Sequence, residues 1–221
     1  MEIKSLKILS KNIEAQKVFY RNILGFSYEL ESTGFKVKTQ ENTLSFEKSE
    51  KEHYYHFAFL IPTSSIEYAI DFLEKLNIKL LLYKGEKIIE FDNGRAIYFY
   101  DKDENIVEFI ERPLVNYPVS NSFSIDQVIK LNEIGLPDIT PIKMANTLIN
   151  KFGINPINKN MLSETFCWVG DHNGVIIVTK EGRNWLPTNK PGIVNDFTIC
   201  YQENGIEYHI SFVNNNIKTI K

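Results

Sequence analysis

The feature of this chain that most constrains its fold is a repeated order of elements, in which a strand precedes a helix and several short strands follow it. Helical patterns occur at residues 12–25, 64–77 and 140–153. Repeats at a fixed spacing indicate one supersecondary unit that is used several times. The copies start near residues 3, 55 and 127, and the strands at 197–201 and 206–212 suggest a fourth, incomplete copy without a helix.

Residues that begin and end helices mark these units. Asn12 is suited to cap the first helix, and Gly25 suits its left-handed C-terminal stop. Ser64 and Glu67 have the spacing of a capping box for the second helix. In the third helix, Thr140 is suited to be the cap and Pro141 lies at the first helical position. The sequence therefore predicts three short helices.

The predicted strands are short and lie between polar turns. They cover residues 36–38, 43–46, 87–91, 96–100, 106–110, 166–169 and 175–179, besides the two strands of the fourth copy. A stretch that contains Pro118 and small polar residues, residues 114–123, is the predicted linker. It separates residues 1–113, with two complete units, from residues 124–221, with one complete and one reduced unit.

The composition excludes several classes of protein. The net charge is −3 and no Lys/Arg cluster occurs, so nothing favours binding to nucleic acid or to an anionic membrane. The apolar runs are far shorter than a membrane helix needs, and the N-terminus lacks the core of a signal peptide. The two cysteines, Cys167 and Cys200, lie in strand-like segments and read as free thiols. We expect a cytoplasmic monomer or homodimer whose partner is a small molecule.

Three motifs in the first half resemble a known superfamily. Residues 12–26, 56–62 and 97–108 are similar, in this order, to segments of the vicinal oxygen chelate proteins, which include glyoxalases, bleomycin-resistance proteins and extradiol dioxygenases. The second half resembles them less, through residues 132–136 and 182–188, in the manner of two-domain bacterial glyoxalase-like proteins.

This resemblance implies a fold and a kind of site. The fold is α+β, with tandem βαβββ modules whose mixed sheets curl around a cavity, and with a reduced second domain. Family enzymes hold a divalent metal with residues of the first and last strand of each unit. His56 and Glu108 match such positions, and Fe, Mn, Zn and Ni accept nitrogen and oxygen ligands of this kind. In the first unit the matching residues are Ser5 and Ser45, neither of which is a typical ligand.

Two further residues are candidates for a catalytic role. If the second and third units share one cavity, Glu133 joins His56 and Glu108 as a third ligand or a base; if the units pair within each half, it does not. Tyr98, on the strand before Glu108, is placed to donate a hydrogen bond to a substrate oxygen. The alternative roles are structural: a hydrogen-bonded histidine, a paired Glu133 and a tyrosine that packs in the sheet.

The candidate substrate-binding residues are Tyr55, Arg183 and Trp185. Tyr55 is predicted at the rim of the cavity, and the other two lie in an irregular stretch between Gly182 and Gly192. Long loops with aromatic residues often close over ligands. The alternative, which we favour for Trp185, is that its ring fills the open end of the second sheet.

Two functions follow as hypotheses. The first is a metal-dependent lyase, isomerase or dioxygenase that acts on a small molecule. The second is a metal-free protein that binds or sequesters a small molecule, as bleomycin-resistance proteins do; the serines of the first unit and the 11 tyrosines and 15 phenylalanines support it. A third possibility is an interaction protein with vestigial cavities.

Overall fold

The structure is a computed structural model that describes residues 1–92, 94–113, 117–156, 162–214 and 216–220. Within these residues two mixed β-sheets accompany three α-helices, which confirms the predicted α+β class. The strands are β1 (Glu2–Ser10), β2 (Ser27–Glu31), β3 (Gly34–Lys38), β4 (Thr43–Lys48), β5 (His56–Leu60), β6 (Leu80–Leu81), β7 (Ile89–Phe91), β8 (Gly94–Tyr100), β9 (Ile106–Glu111), β10 (Lys130–Asp138), β11 (Phe166–Asp171), β12 (Gly174–Lys180), β13 (Phe197–Glu203), β14 (Ile206–Val213) and β15 (Asn216–Thr219).

The three helices are α1 (Ile13–Lys17), α2 (Ile66–Lys75) and α3 (Pro141–Phe152). Helix α1 continues as a π-helical segment, Val18–Ile23, so the first predicted helix is not α-helical throughout. The Asn12 side chain does not cap it, because its amide donates to Asp103 instead.

The capping box predicted for α2 is wrong. The residue before the helix is Ser65, whose hydroxyl donates to the Pro62 carbonyl, and the Glu67 carboxylate accepts from Arg95. The third helix follows its prediction in its two ends, but the Thr140 side chain does not cap it, and its hydroxyl donates to Asp138 instead. It has proline in its first turn and ends at Gly153 with φ of +67°.

The order of strands shows which units join. Sheet 1 has the order β15-β14-β13-β1-β4-β3-β2, and sheet 2 has the order β11-β12-β10-β5-β9-β8-β6, with β7 also paired to β8. The first unit therefore shares sheet 1 with the fourth through β1 and β13, and the second shares sheet 2 with the third through β5 and β10. Each sheet contains strands from both halves of the chain. Residues 114–116 of the predicted linker lie outside the described residues, and the domain boundaries stay a prediction.

One apolar core joins the helices to one face of each sheet. Its largest buried side chains include Tyr20, Phe46, Phe59 and Phe109. A second apolar cluster covers the opposite face of sheet 2 and includes Ala58, Leu60, Tyr98, Ile110, Ile177 and Trp185. Because strand residues alternate between faces, sheet 2 is buried on both sides. None of the described helices has the length and apolar character needed to cross a membrane.

Candidate functional site

The second apolar cluster surrounds three polar side chains, His56, Glu108 and Glu133, which we call the triad. Strand β5 lies between β9 and β10, and its Ala58 is in register with Glu108 on one side and with Glu133 on the other. His56 is two residues before Ala58 and so faces the same side of the sheet. One donor atom from each of the three residues lies within 4.8 Å of the others. The pairing of the second and third units is what brings Glu133 to the other two.

His56 is held as a neutral imidazole. Its Nδ1 lies 3.1 Å from the Ile106 carbonyl oxygen, which can only accept, so Nδ1 carries the proton. Burial lowers the pKa of His56 to about 4, and the hydrogen bond to Ile106 opposes this shift in part. The lone pair is therefore on Nε2, which lies 3.4 Å from Oε2 of Glu108. A backbone carbonyl that fixes the tautomer in this way is typical of metal-binding histidines.

The two carboxylates differ in their neighbours. Burial, and then the charge of Glu133, raise the pKa of Glu108 well above its usual value, while Arg112 and Tyr98 lower it in part. Burial also raises the pKa of Glu133, and the Arg112 guanidinium opposes this by its charge and a hydrogen bond. Arg112 is 2% exposed, pairs with Glu133 and donates to Oδ1 of Asn132 at 2.9 Å. Of the two carboxyl groups, Glu108 is therefore the one that burial and its neighbour favour in the protonated form, and Glu133 is the one whose charge Arg112 supports.

Tyr98 lies beside the triad. It is in register with Glu108 across the β8–β9 pair, and its ring centroid lies 6.2 Å from that of His56. Burial, followed by the charges of Glu108 and Glu133, raises the pKa of its phenol well above the usual value. Tyr98 therefore keeps its proton and can only act as a hydrogen-bond donor or as a neutral acceptor near pH 7.

The other side of Arg112 carries two polar atoms without a partner. Its guanidinium carbon lies 5.2 Å from the centre of the Trp168 ring. Nε1 of Trp168 and Nδ1 of His172 are buried and have no hydrogen-bond partner among the described residues. A buried N–H group without a partner is costly and calls for an explanation, such as a bound ligand. Among the described residues, the Trp168 N–H is thus an unpartnered donor beside Arg112, and Nδ1 of His172 is a second unpartnered atom that donates or accepts according to its tautomer.

Trp185 covers the triad. Its ring centroid lies 4.9 Å from that of His56, and the residue is 5% exposed. The close approach depends on Gly135, because a Cβ atom there would lie 2.6 Å from Cη2 of Trp185. The cavity left beside His56 measures about 10 Å³, which is room for roughly one water molecule. In this arrangement Trp185 fills the space over the sheet.

The loop that carries Trp185 is fastened to the rest of the chain. Gly182 and Gly192 are joined by a backbone hydrogen bond at its base. The Lys190 ammonium lies 2.7 Å from a carboxylate oxygen of Glu104 and 4.3 Å from the centre of the Tyr54 ring. These contacts are in part exposed, so they hold the loop more weakly than a packed core would.

The other two candidate substrate-binding residues lie away from the triad donors. Tyr55 is buried, and its hydroxyl donates to the Asp196 carbonyl and accepts from the amide of Leu9. Arg183 is exposed, and its guanidinium lies over the Phe166 ring at 5.0 Å. The structure brings together His56, Glu108, Glu133, Tyr98 and Trp185 of the predicted site, while the Tyr55 hydroxyl and the Arg183 guanidinium point to other partners.

The triad fits a divalent metal ion. It offers one imidazole nitrogen and two carboxylates, a mixed set that suits divalent Fe, Mn, Zn or Ni. The charge of Glu133 raises the pKa of Glu108, and a cation between the two carboxyl groups would relieve that repulsion. Arg112 would then be the hydrogen-bond partner that orients Glu133 as a ligand.

Comparison with known proteins supports the fold. No family model matches the chain, and no curated protein sequence matches it. Among solved structures, a putative dioxygenase from Bacillus subtilis superposes with a TM-score of 0.62 and 15% identity, over 96% of this chain and 84% of its own. The chain has the glyoxalase/dioxygenase fold.

Other structural matches cover about half of the chain. A lactoylglutathione lyase from Agrobacterium tumefaciens matches at 19% identity and a TM-score of 0.44, over 52% of this chain and 96% of its own. The oxidase ChaP-H1 matches at 21% identity and a TM-score of 0.44, over 52% of this chain and 98% of its own.

The sequence reasoning missed Arg112 and Trp168. A signal for the arginine was available, because Arg112 follows the end of β9 and continues the alternation of Glu108 and Ile110 along one face. No comparable signal marks Trp168, whose contact with Arg112 depends on the distant pairing of β12 with β10.

Proposed function

We propose that this protein is a metal-dependent enzyme of the glyoxalase/dioxygenase type, a lyase, isomerase or dioxygenase that acts on a small molecule at the triad. The observation that supports this most is the convergence of His56, Glu108 and Glu133 within 4.8 Å on a buried and largely apolar sheet face. A divalent ion bound there would supply a Lewis acid for neighbouring oxygens of the substrate.

The chain's own residues have distinct tasks in this proposal. His56 offers Nε2 as a neutral ligand because Ile106 holds its Nδ1 proton. Glu108 gives up its proton when it becomes a ligand, since a coordinating carboxylate must be ionised. Arg112 holds Glu133 in place, and Tyr98 is the donor next to the reacting oxygens.

Trp185 controls access to this site. With room for about one water beside His56, a substrate needs the ring of Trp185 to move out. The loop between Gly182 and Gly192 is the element that would have to move, and it is held by the Lys190–Glu104 ion pair and by the Tyr54 hydroxyl, which donates to the Pro191 carbonyl. Once a substrate is bound, the same ring would exclude water from it.

The test is metal binding by protein that is purified without a histidine tag. We expect Mn²⁺ or Fe²⁺, which are less thiophilic than Zn²⁺, to raise the melting temperature of the wild type, because ligands that bind the folded state stabilise it. His56→Ala and Glu108→Gln should abolish this response. Glu86→Gln is the matched control, since Glu86 is an exposed carboxylate outside the triad. A wild type that takes up none of these ions, or whose response survives both triad substitutions, would overturn the proposal.

The second candidate is a metal-free protein that binds a small molecule. The Arg112–Glu133 ion pair favours it, because the guanidinium already supplies a positive charge to the buried carboxylate. Stabilisation by aromatic compounds alone, lost in Trp168→Phe where the unpartnered Nε1 is removed, would support this candidate over the first.

A further inference from the structure

A second set of metal-type donors lies on sheet 1, in the hairpin of β13 and β14. Cys200 is directly opposite His209 in this hairpin, and Glu207 is two residues before His209 on the same strand face. Sγ of Cys200 lies 3.7 Å from Nε2 of His209, and Oε1 of Glu207 lies 2.8 Å from the same nitrogen. The flanking Ile199 and Ile210 point into the core, so the three donors face away from it.

The geometry argues against a cysteine nucleophile. In a Cys–His–acid arrangement the histidine uses its two nitrogens, one for the thiol and one for the carboxylate. Here both groups approach Nε2, so Glu207 does not orient the imidazole for Cys200. Burial and the charge of Glu207 also raise the pKa of the Cys200 thiol, which leaves it a weak nucleophile near pH 7.

The approach of Cys200 and Glu207 to the same nitrogen of His209 suits a cation that all three side chains bind. Tetrahedral Zn²⁺ with Zn–S near 2.3 Å and Zn–N near 2.0 Å places sulfur and nitrogen roughly 3.6 Å apart. The observed separation of 3.7 Å is close to this value. The carboxylate must withdraw by a few tenths of an ångström, and Glu207 is 56% exposed and free to rotate.

We propose that Cys200, Glu207 and His209 form a binding site for a thiophilic divalent cation, Zn²⁺, with solvent in the remaining position. A thiolate and a carboxylate together balance the charge of the ion, and imidazole, thiolate and carboxylate are all ordinary zinc ligands. The thiol proton leaves on binding. Lys4, which precedes the β1 residue in register with Cys200 and pairs with Glu2, assists because its charge lowers the pKa of the thiol. The site is separate from the triad, which lies on sheet 2.

The test uses Co²⁺ as a spectroscopic probe and Zn²⁺ in equilibrium dialysis, on the full chain without a tag. Cobalt bound to a thiolate gives a charge-transfer absorption in the near ultraviolet that nitrogen and oxygen ligands do not give. We expect this absorption in the wild type and its loss in Cys200→Ser. His209→Ala should weaken Zn²⁺ binding by tenfold or more, and it is suited to the test because His209 is 50% exposed and its loss leaves the core intact.

Two controls separate this site from other sources of the signal. Cys167→Ala removes the other thiol and should keep the absorption. Glu108→Gln removes a carboxylate of the triad and should also keep it, so that failure of one site is distinguishable from failure of the other. Absence of the absorption in the wild type, or its persistence in Cys200→Ser, would overturn the proposal. As a second measurement, Zn²⁺ should slow the reaction of the wild-type thiol with a disulfide reagent, and an unchanged rate would count against it.

Discussion

Arg112→Met tests the electrostatics of the candidate site most directly. The guanidinium is 2% exposed and pairs with Glu133 and Asn132, so its removal leaves a buried carboxylate without a cation. Methionine fills much of the same volume, which limits the cavity that results. Breaking a buried ion pair by removing one partner costs about 3–5 kcal/mol. We expect a loss of this size in the free energy of unfolding at pH 8.

The loss should depend on pH. Burial raises the pKa of Glu133, and Arg112 opposes that shift, so the variant has a still higher pKa. A carboxyl group with a raised pKa binds its proton in the folded state at pH values where the unfolded chain has lost it. Stability therefore falls as pH rises from the unfolded value near 4.3 to the folded value. The difference between wild type and variant should be larger at pH 8 than at pH 5.

The assay is urea unfolding of the wild type and the variant at both pH values. Arg21→Met is the control, because Arg21 is exposed and surface substitutions change stability by about 0.5 kcal/mol or less. Adding Glu133→Gln to Arg112→Met should restore most of the lost stability, since no charge is then buried alone. Equal losses in the two arginine variants, or a loss that is the same at pH 5 and pH 8, would refute the reasoning.

Three further predictions concern single positions. The pKa of His56 is about 4 in the folded state, so the stability advantage of the wild type over His56→Gln should shrink by about 3 kcal/mol from pH 6.5 to pH 4. Urea unfolding measures this difference, and a constant value would contradict the prediction. Gly135→Ala places a methyl group against Trp185 and should cost about 1–3 kcal/mol and shift tryptophan fluorescence to the red; an unchanged spectrum would show that the ring does not rest there. Gly153→Ala, at φ of +67°, should cost about 1–2 kcal/mol in thermal unfolding, and a neutral effect would mean that α3 ends differently.

Local signals in the sequence were sufficient for the third helix and for most strands. Proline at the start and glycine at the end fix α3, because both act through their own backbone geometry. The capping box at Ser64 failed for the opposite reason. Arg95, distant in the sequence, takes the carboxylate of Glu67, and no local pattern reveals that contact.

Long-range pairing decided the site, and the sequence left it open. His56 and Glu108 could be placed from motifs, but Glu133 joins them only because one edge of β10 pairs with β5 of the other half, while its other edge pairs with β12. That choice depends on the burial of whole strand faces. The sequence predicts Trp185 either as part of a loop that closes over a ligand or as a ring that fills the open end of the sheet. Its contact with His56 depends on the absence of a side chain at Gly135, and this role of the glycine is apparent only once the strand pairing is known.

A comparison of the two sheets shows why the buried triad is expected to lower the stability of the fold. In sheet 1 the positions that match His56 and Glu108 are Ser5 and Ser45, on a face that carries partly exposed ion pairs such as Lys7–Glu47. Water solvates such groups, so they need no further partner. In sheet 2 the corresponding face is apolar and covered by Trp185, and polar groups there are desolvated. A chain that only had to fold would gain stability from replacing them.

Glu108→Gln turns this argument into a measurement. The amide keeps the shape of the side chain and a hydrogen bond to Tyr98, but it removes a carboxyl group whose pKa is raised well above its usual value by burial and by Glu133. The wild type loses free energy of unfolding relative to the variant as the pH rises above the pKa of Glu108 in the unfolded chain. The loss is about 1.4 kcal/mol for each pH unit, until the pKa of the folded state is reached. We expect the variant to be more stable than the wild type at pH 8 and nearly equal at pH 5, while its response to divalent ions at the triad is lost. A variant that is less stable at pH 8 would show that Glu108 supports the fold, and the triad would then need no ligand to explain it.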